Sequence, residues 1–255
     1  MKLLLSAQVA LATLISFSAL AIMPKASPVY NDQSISDRAC VLEFTNEPGQ
    51  SEILSGVLIN SQRIVTVGHA LFFNRDLDIK CGFNGKKLIR PARRVRHPRW
   101  DYKDNPKSVQ DWAKYDIAVI DIKTAAVSVQ PLPVISDINE VRSLLQQERC
   151  IYGGAGENMG KSIRDLNVVF IKTPKTPGVV SETHATVKYP GEAEVMPGDS
   201  GGPLLCQRAD NLWYLAGLLD YGGTSRNNVT GKIENIVAIL VLRPELLNEF
   251  VYTAK

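Results

Sequence analysis

The sequence predicts an all-β protein: two six-stranded antiparallel β-barrels packed together, with a short C-terminal helix. Three observations carry that prediction. Short β-branched or apolar runs recur along the chain, each bounded by polar turns. A proline-bearing link, Pro131-Leu132-Pro133, parts these runs into two sets of about six, as two small barrels require. Helical spacing replaces strand spacing at only two places.

The first set covers residues 41–44, 53–59, 63–67, 78–83, 88–95 and 116–122. The second covers residues 150–152, 167–172, 184–189, 203–206, 212–219 and 233–242. Between them, residues 137–149 put Ile138, Val141, Leu144 and Leu145 on one helical face, and Asp137 with Glu140 three residues on reads as a capping box. After the last strand, Pro244 and Glu245 suit the first turn of a helix that aligns Leu246, Leu247, Phe250 and Val251. The chain therefore divides at the link into an N-terminal barrel over 22–130 and a C-terminal barrel over 131–255.

Residues 1–21 read as a signal peptide. Lys2 precedes a largely apolar run to Met23, and Ala19-Leu20-Ala21 is a small-x-small exit. Cleavage could extend to about residue 26, the exit pattern being loose. The rival reading is an uncleaved anchor, since the run approaches spanning length. No second stretch is long enough to span a bilayer, so no stable membrane association is expected after signal removal. Export makes the chain extracellular or periplasmic. The net charge of +3 calls for no nucleic acid. Four cysteines, Cys40, Cys81, Cys150 and Cys206, are an even count in an exported chain and point to disulfides. No C-x-x-C spacing occurs and only His69, His97 and His184 could join it, so neither a metal nor a cofactor is expected.

Pro197-Gly198-Asp199-Ser200-Gly201-Gly202-Pro203 is the strongest local signal. A serine among glycines can be presented on a turn that a Cβ would obstruct, with backbone N–H groups converging beside it. Alone it is also an ordinary glycine-rich hairpin, or the G-x-S-x-G of another hydrolase fold. His69 follows the apolar strand Ile64-Val65-Thr66-Val67, a rigid perch for a base. Asp116 opens the apolar run Ile117-Ala118-Val119-Ile120. It lies either at the solvent edge or buried with a partner, because a lone buried carboxylate is costly. All three histidines precede Ser200, whereas an α/β-hydrolase needs its histidine after the serine. That order removes the other hydrolase fold.

The whole set resembles the trypsin-like, chymotrypsin-fold serine proteases over nearly the full mature length. Residues 55–60 with Val65-Thr66-Val67-Gly68-His69-Ala70 are similar to the family's histidine strand pair. Arg96-His97-Pro98-Arg99-Trp100, Tyr115-Asp116-Ile117-Ala118, and Cys150-Ile151-Tyr152-Gly153-Gly154 resemble the segments that follow. The resemblance implies a serine endopeptidase acting on protein or peptide substrates, with a protein inhibitor as a further partner class. It implies that Ser200 attacks, His69 carries the proton, Asp116 orients the imidazole, and the N–H groups of Gly198 and Ser200 form the oxyanion hole. It implies a Cys150–Cys206 disulfide, which leaves Cys40 and Cys81 for one across the first barrel. His97 matches a position without a catalytic role. The competing reading is a catalytically silent homologue used as a binding module.

Departures from the family pattern set further expectations. Ala70 and Met196 stand where cysteines are usual. Glu194 occupies the pocket-base position, where a carboxylate would favour Arg or Lys before the scissile bond; a solvated Glu194 on a shifted loop is the alternative. Asp220, Tyr221 and Gly222 match the strand that pairs with extended substrate. Asp220 stands where serine is usual, near the triad aspartate, and two adjacent acids would raise one pKa. Whether it points there is open. No Ile-Val-Gly-Gly-like start precedes Cys40, so activation follows signal removal directly or a cut near Lys25 or Arg38. The basic run 86–99 is either an anionic exosite or a solvated face. Asn228-Val229-Thr230 is a glycosylation sequon.

Overall fold

The computed structural model describes residues 20–24, 32–47, 50–71, 76–82, 88–100, 113–123, 129–156, 163, 168–173, 182–189, 193–226, 231 and 233–254. The elements run β1 (Leu20–Pro24), α1 (Gln33–Ser36), β2 (Ala39–Glu47), β3 (Gln50–Asn60), β4 (Arg63–Thr66), a 3₁₀ turn (Gly68–Leu71), β5 (Asp76–Cys81), β6 (Pro91–Arg96) and β7 (Ala118–Ile122). They continue with α2 (Ile138–Gln146), β8 (Cys150–Gly154), β9 (Val169–Lys172), β10 (His184–Tyr189), β11 (Ala193–Met196), β12 (Pro203–Gln207), β13 (Trp213–Arg226) and β14 (Ile233–Val241). α3 (Pro244–Leu246) then widens into a π-helical turn (Leu247–Val251).

Two six-stranded antiparallel sheets result, as the alternation of runs and turns predicts. The first has the order β5-β2-β3-β4-β7-β6. Ile79 and Ile89 exchange backbone hydrogen bonds of 2.9 and 2.8 Å, joining β5 to the segment that enters β6 and closing this sheet on itself. The second has the order β10-β14-β13-β12-β8-β9, and its outer strands do not pair with each other among the described residues. A small ribbon of β1 on β11 answers to no expected run.

The differences from the expected boundaries have local causes. β2 and β3 extend beyond residues 41–44 and 53–59, because ladder pairing continues through Thr45 and Ser51, where apolar spacing has stopped. β7 begins at Ala118 instead of Asp116, because the Asp116 N–H is bonded back to Ala113 O at 3.1 Å. β3 is buried without alternation from Leu54 to Ile59. It is covered by its own sheet's interior on one side and by the second sheet's serine loop on the other.

One core cluster includes residues of both sheets. Val57, Ile64, Val119 and Ile120 of the first meet Leu205, Leu215 and Leu218 of the second. Each fully buried aliphatic side chain contributes about 1.5–3 kcal/mol. A second cluster lies within the second sheet under α2, built from Val141, Leu144, Leu145, Tyr152 and Ile239. The Asp137 carboxylate caps α2 by accepting from Asn139 N at 2.8 Å, while Glu140 leaves the capping role and pairs with Arg208 at 2.7 Å. Both disulfides join residues directly opposed on neighbouring strands: Cys40 to Cys81 on β2 and β5, Cys150 to Cys206 on β8 and β12.

The C-terminal turn returns to the first sheet. Arg63 donates to Val251 O at 2.8 Å and Arg93 to Ala254 O at 2.7 Å, and both guanidinium groups hold Asp121. No helix among the described residues is long and apolar enough to cross a membrane. The expected leader lies outside the described residues up to position 19, as does the sequon at 228–230.

Candidate active site

β4 stops at Thr66, and a 3₁₀ turn lifts His69 out of the sheet while Gly68 and Ala70 stay buried. The imidazole keeps 31% of its surface exposed. Asp116 reaches it from the turn before β7 and is wholly buried. One carboxylate oxygen accepts from the His69 backbone N–H at 2.6 Å and the other meets Nδ1 at 2.7 Å. Grip on both backbone and ring leaves the imidazole little freedom to turn.

The electrostatics fix the tautomer. Burial pushes the Asp116 carboxyl up, but the His69 charge and hydrogen bonds, together with the neighbouring Asp220 carboxyl, hold it below its ordinary value. Burial likewise pushes the His69 imidazole down, and the charge and hydrogen bond of Asp116, with Glu52, outweigh it and raise it. An ionised Asp116 can only accept, so in the neutral ring Nδ1 carries the proton and Nε2 is left bare.

Ser200 arrives on the turn between β11 and β12. Ser55 N–H of β3 donates to Ser200 O at 2.9 Å, so the serine turn of the second sheet is bonded directly to the first. The glycines are dictated by space. Gly201 has φ +83°, and a Cβ there would lie 2.1 Å from Thr66 Oγ1. Gly198 has φ +110°, and its Cβ would meet Gly156 O at 2.8 Å. Both positions exclude a side chain. Asp199 is buried and accepts from Gly156 N–H at 3.1 Å. No hydrogen bond joins the Ser200 hydroxyl to His69 among the described residues.

Sequence reasoning misses Ser55. Its buried hydroxyl donates to Gly198 O at 2.7 Å and accepts from Ala155 N–H at 2.9 Å. It thereby pins the carbonyl side of the turn that presents Ser200. The available signal is a small polar residue inside the apolar stretch 53–59.

Asp220 is turned inward. The ladder of β13 on β14 shifts register between Leu219 and Tyr221, leaving Asp220 as the extra residue of a bulge. Such a bulge re-aims its side chain. Oδ1 lies 4.0 Å from His69 Nδ1, an oxygen of the carboxyl lies within 4.8 Å of one of Asp116, and Oδ2 meets His184 Nε2 at 2.8 Å. Tyr221 is 39% exposed at the site's rim, and half-buried Gly222 pairs with Val237. Glu194 sits on β11 opposite Met23, its side chain outside the described residues.

His69, Asp116 and Asp220 are also the one group among the described residues with donor atoms close enough to surround a cation, all within 4.8 Å. Their shortest separation is a 2.7 Å hydrogen bond, which leaves no space between His69 and Asp116 for an ion. His97 belongs to the packing of the C-terminus, stacked on Tyr115 and edge-on to Phe250 at 4.9 Å. The basic run is largely engaged: Arg90 with Asp78, Arg93 with Asp121, Arg96 over Trp100 and Arg99 with Tyr115. Lys86 and Lys87 lie outside the described residues.

Comparison with known proteins agrees with this fold. The sequence model of the trypsin family matches residues 31–239. Alpha-fibrinogenase albofibrase of Trimeresurus albolabris is 26% identical over 190 residues, covering 66% of this chain and 67% of the relative.

Proposed function

The chain belongs to the trypsin family, and on that premise we propose that it is an exported serine endopeptidase using His69, Asp116 and Ser200. The observation that carries the proposal is the double grip of Asp116 on His69. It leaves Nε2 unprotonated on a fixed, partly exposed ring.

Ser200 Oγ attacks the scissile carbonyl as its proton passes to His69 Nε2. The imidazolium is stabilised by Asp116 and returns the proton to the leaving amine. Water then gives its proton to His69 as its oxygen bonds to the acyl carbon, and His69 passes that proton to Ser200 Oγ as the C–O bond breaks and the acid product leaves. The N–H groups of Gly198 and Ser200 bind the oxyanion, and the Ser55 clamp on Gly198 O supports that pose. Contacts of this kind are often long in the resting protein and tighten on substrate.

Glu194 gives the pocket an anionic base that prefers Arg or Lys before the scissile bond, with Tyr221 and Gly222 along the substrate strand. The relative's name marks that protein as a fibrinogenase, in keeping with protein substrates here. A leader over residues 1–21 directs export, and the two disulfides suit an oxidising compartment. The halves 22–130 and 131–255 each supply part of the site.

A peptide library digested by the secreted protein tests the reading. Cuts after Arg and Lys are expected, lost together with all cleavage in Ser200→Ala, and redistributed in Glu194→Ala. Cuts mainly after large apolar residues would overturn the specificity. No cleavage by a folded, correctly processed protein would favour the silent homologue.

A further inference from the structure

Behind the His69–Asp116 pair lies a second carboxyl–imidazole pair that the mechanism above does not use. Asp220 and His184 are both buried, at 2% and 6% exposure, and joined at 2.8 Å. The two pairs adjoin through their carboxyls, which have oxygens within 4.8 Å of each other. Two buried carboxylates this close repel each other when both are ionised, which favours a proton on one of them.

The donors around each acid decide which. Asp116 accepts from two N–H groups of His69, which stabilises its charge. Asp220 has one donor within hydrogen-bond distance, His184 at Oδ2, while its Oδ1 is buried with none that close, His69 Nδ1 lying 4.0 Å away. An acceptor at Oδ1 would be orphaned, whereas a hydroxyl there has Asp116 to donate to. We propose that Asp220 is a positioning residue that keeps its proton on Oδ1 and donates it in a hydrogen bond to Asp116, in an orientation fixed by His184. The proposal rests on His69 and Asp116 being the catalytic pair.

The proton count closes. Thr183 Oγ1 lies 2.8 Å from His184 Nδ1, and in the proposed state its hydroxyl donates there. His184 is then the neutral Nε2–H tautomer and donates to Asp220 Oδ2. Asp220 donates from Oδ1 to Asp116, and Asp116 carries the only negative charge of the four groups. Moving the Asp220 proton to His184 would place two carboxylates side by side. It would also charge an imidazole that burial, with Arg243 nearby, pushes down to about 4. Burial and the Asp116 charge push Asp220 well above the ordinary carboxyl range.

The groups facing Asp220 are Asp116, His69, His184 and its neighbour Tyr221, with Arg243 acting on His184 and Glu52 on His69. The consequence for the reaction is a built-in alkaline limit. When Asp220 ionises, two like charges meet, the hydrogen bond to Asp116 is lost, and the grip on His69 loosens.

Infrared spectra of the secreted protein and of Asp220→Asn test the proton directly. A protonated-carboxyl C=O band should persist at pH 7–8 in the wild type and be missing from the variant. Its absence in the wild type, or its survival in the variant, overturns the proposal. Kinetics supply the second arm. Asp220→Leu, which has no donor, should lower kcat on the order of tenfold or more with little change in KM, the scale of one hydrogen bond to a charged group. Asp220→Asn can donate to Asp116 and accept from His184, and should restore most of that loss while removing the alkaline ionisation. An Asn variant as slow as Leu, or with the alkaline limb unchanged, contradicts the proposal. If Asp220→Leu does not fold, Asp220→Asn and the infrared band still decide. The band does not depend on proteolysis: an inactive protein that shows it refutes the catalytic reading alone, and an active protein lacking it refutes the proton assignment alone.

Discussion

The protein holds two histidine–aspartate pairs of nearly equal length, 2.7 Å for His69–Asp116 and 2.8 Å for His184–Asp220. They behave oppositely. His69 is raised from its ordinary value and His184 is lowered to about 4. The His69 ring is partly open to solvent and faces a charged acid; the His184 ring is closed in and faces an acid that keeps its proton. Distance alone therefore does not make a catalytic pair. Access and the charge of the partner do.

The largest expected effects lie on the first pair and the serine it serves. Ser200→Ala should lower kcat by roughly 10⁶-fold and Asp116→Asn by roughly 10⁴-fold, measured on a peptide ester and amide. A Ser200→Ala protein with near-normal turnover would end the protease assignment. The second pair should matter much less. His184→Gln is expected to cost about tenfold in kcat, by loosening Asp220, and a loss as large as that of Asp116→Asn would erase the distinction between the pairs.

Much of this was legible in the chain. His69, Asp116 and Ser200 each sit beside an apolar run or a glycine turn, and their order excludes a second hydrolase fold. The two six-stranded sheets follow from runs such as 63–67 and 233–242, whose apolar periodicity is local. The rest depended on contacts between distant segments. Ser55 is an unremarked polar residue until Gly198, 143 positions away, is seen beside it. The direction of Asp220 is set by a bulge, and a bulge changes register without changing composition. In sequence the basic run 86–99 is open between an exosite and a solvated face, because its partners Asp78 and Asp121 come from other strands.

Acid should sharpen the contrast. His184 and His97 are both buried and both lowered from 6.5 to about 4, the latter by burial with Arg99 and Arg243. Each is neutral in the fold where the unfolded chain would bind a proton. Their stabilisation is complete above about pH 6.5 and is lost as the pH falls toward 4, up to about 3 kcal/mol each. His69 moves the other way: its neutral form is the base, so activity should fade as pH drops through a value above 6.5. Denaturant midpoints and kcat/KM between pH 4 and 8 should thus show activity failing before stability. Coincident loss of both would contradict the assignment of opposite shifts.

The smallest expected effect concerns a pair that is neither buried nor catalytic. Arg208 and Glu140 meet at 2.7 Å with side chains 35% and 31% exposed. Glu140→Ala should cost no more than about 1 kcal/mol by urea denaturation and leave turnover alone.

The most direct test of the central claim is labelling of Ser200 by a fluorophosphonate, which requires an activated hydroxyl. At pH 8 the secreted protein should be labelled at residue 200, and His69→Ala should lose that labelling while remaining folded. Labelling that survives in His69→Ala, or that never occurs on the folded and processed protein, would contradict the account.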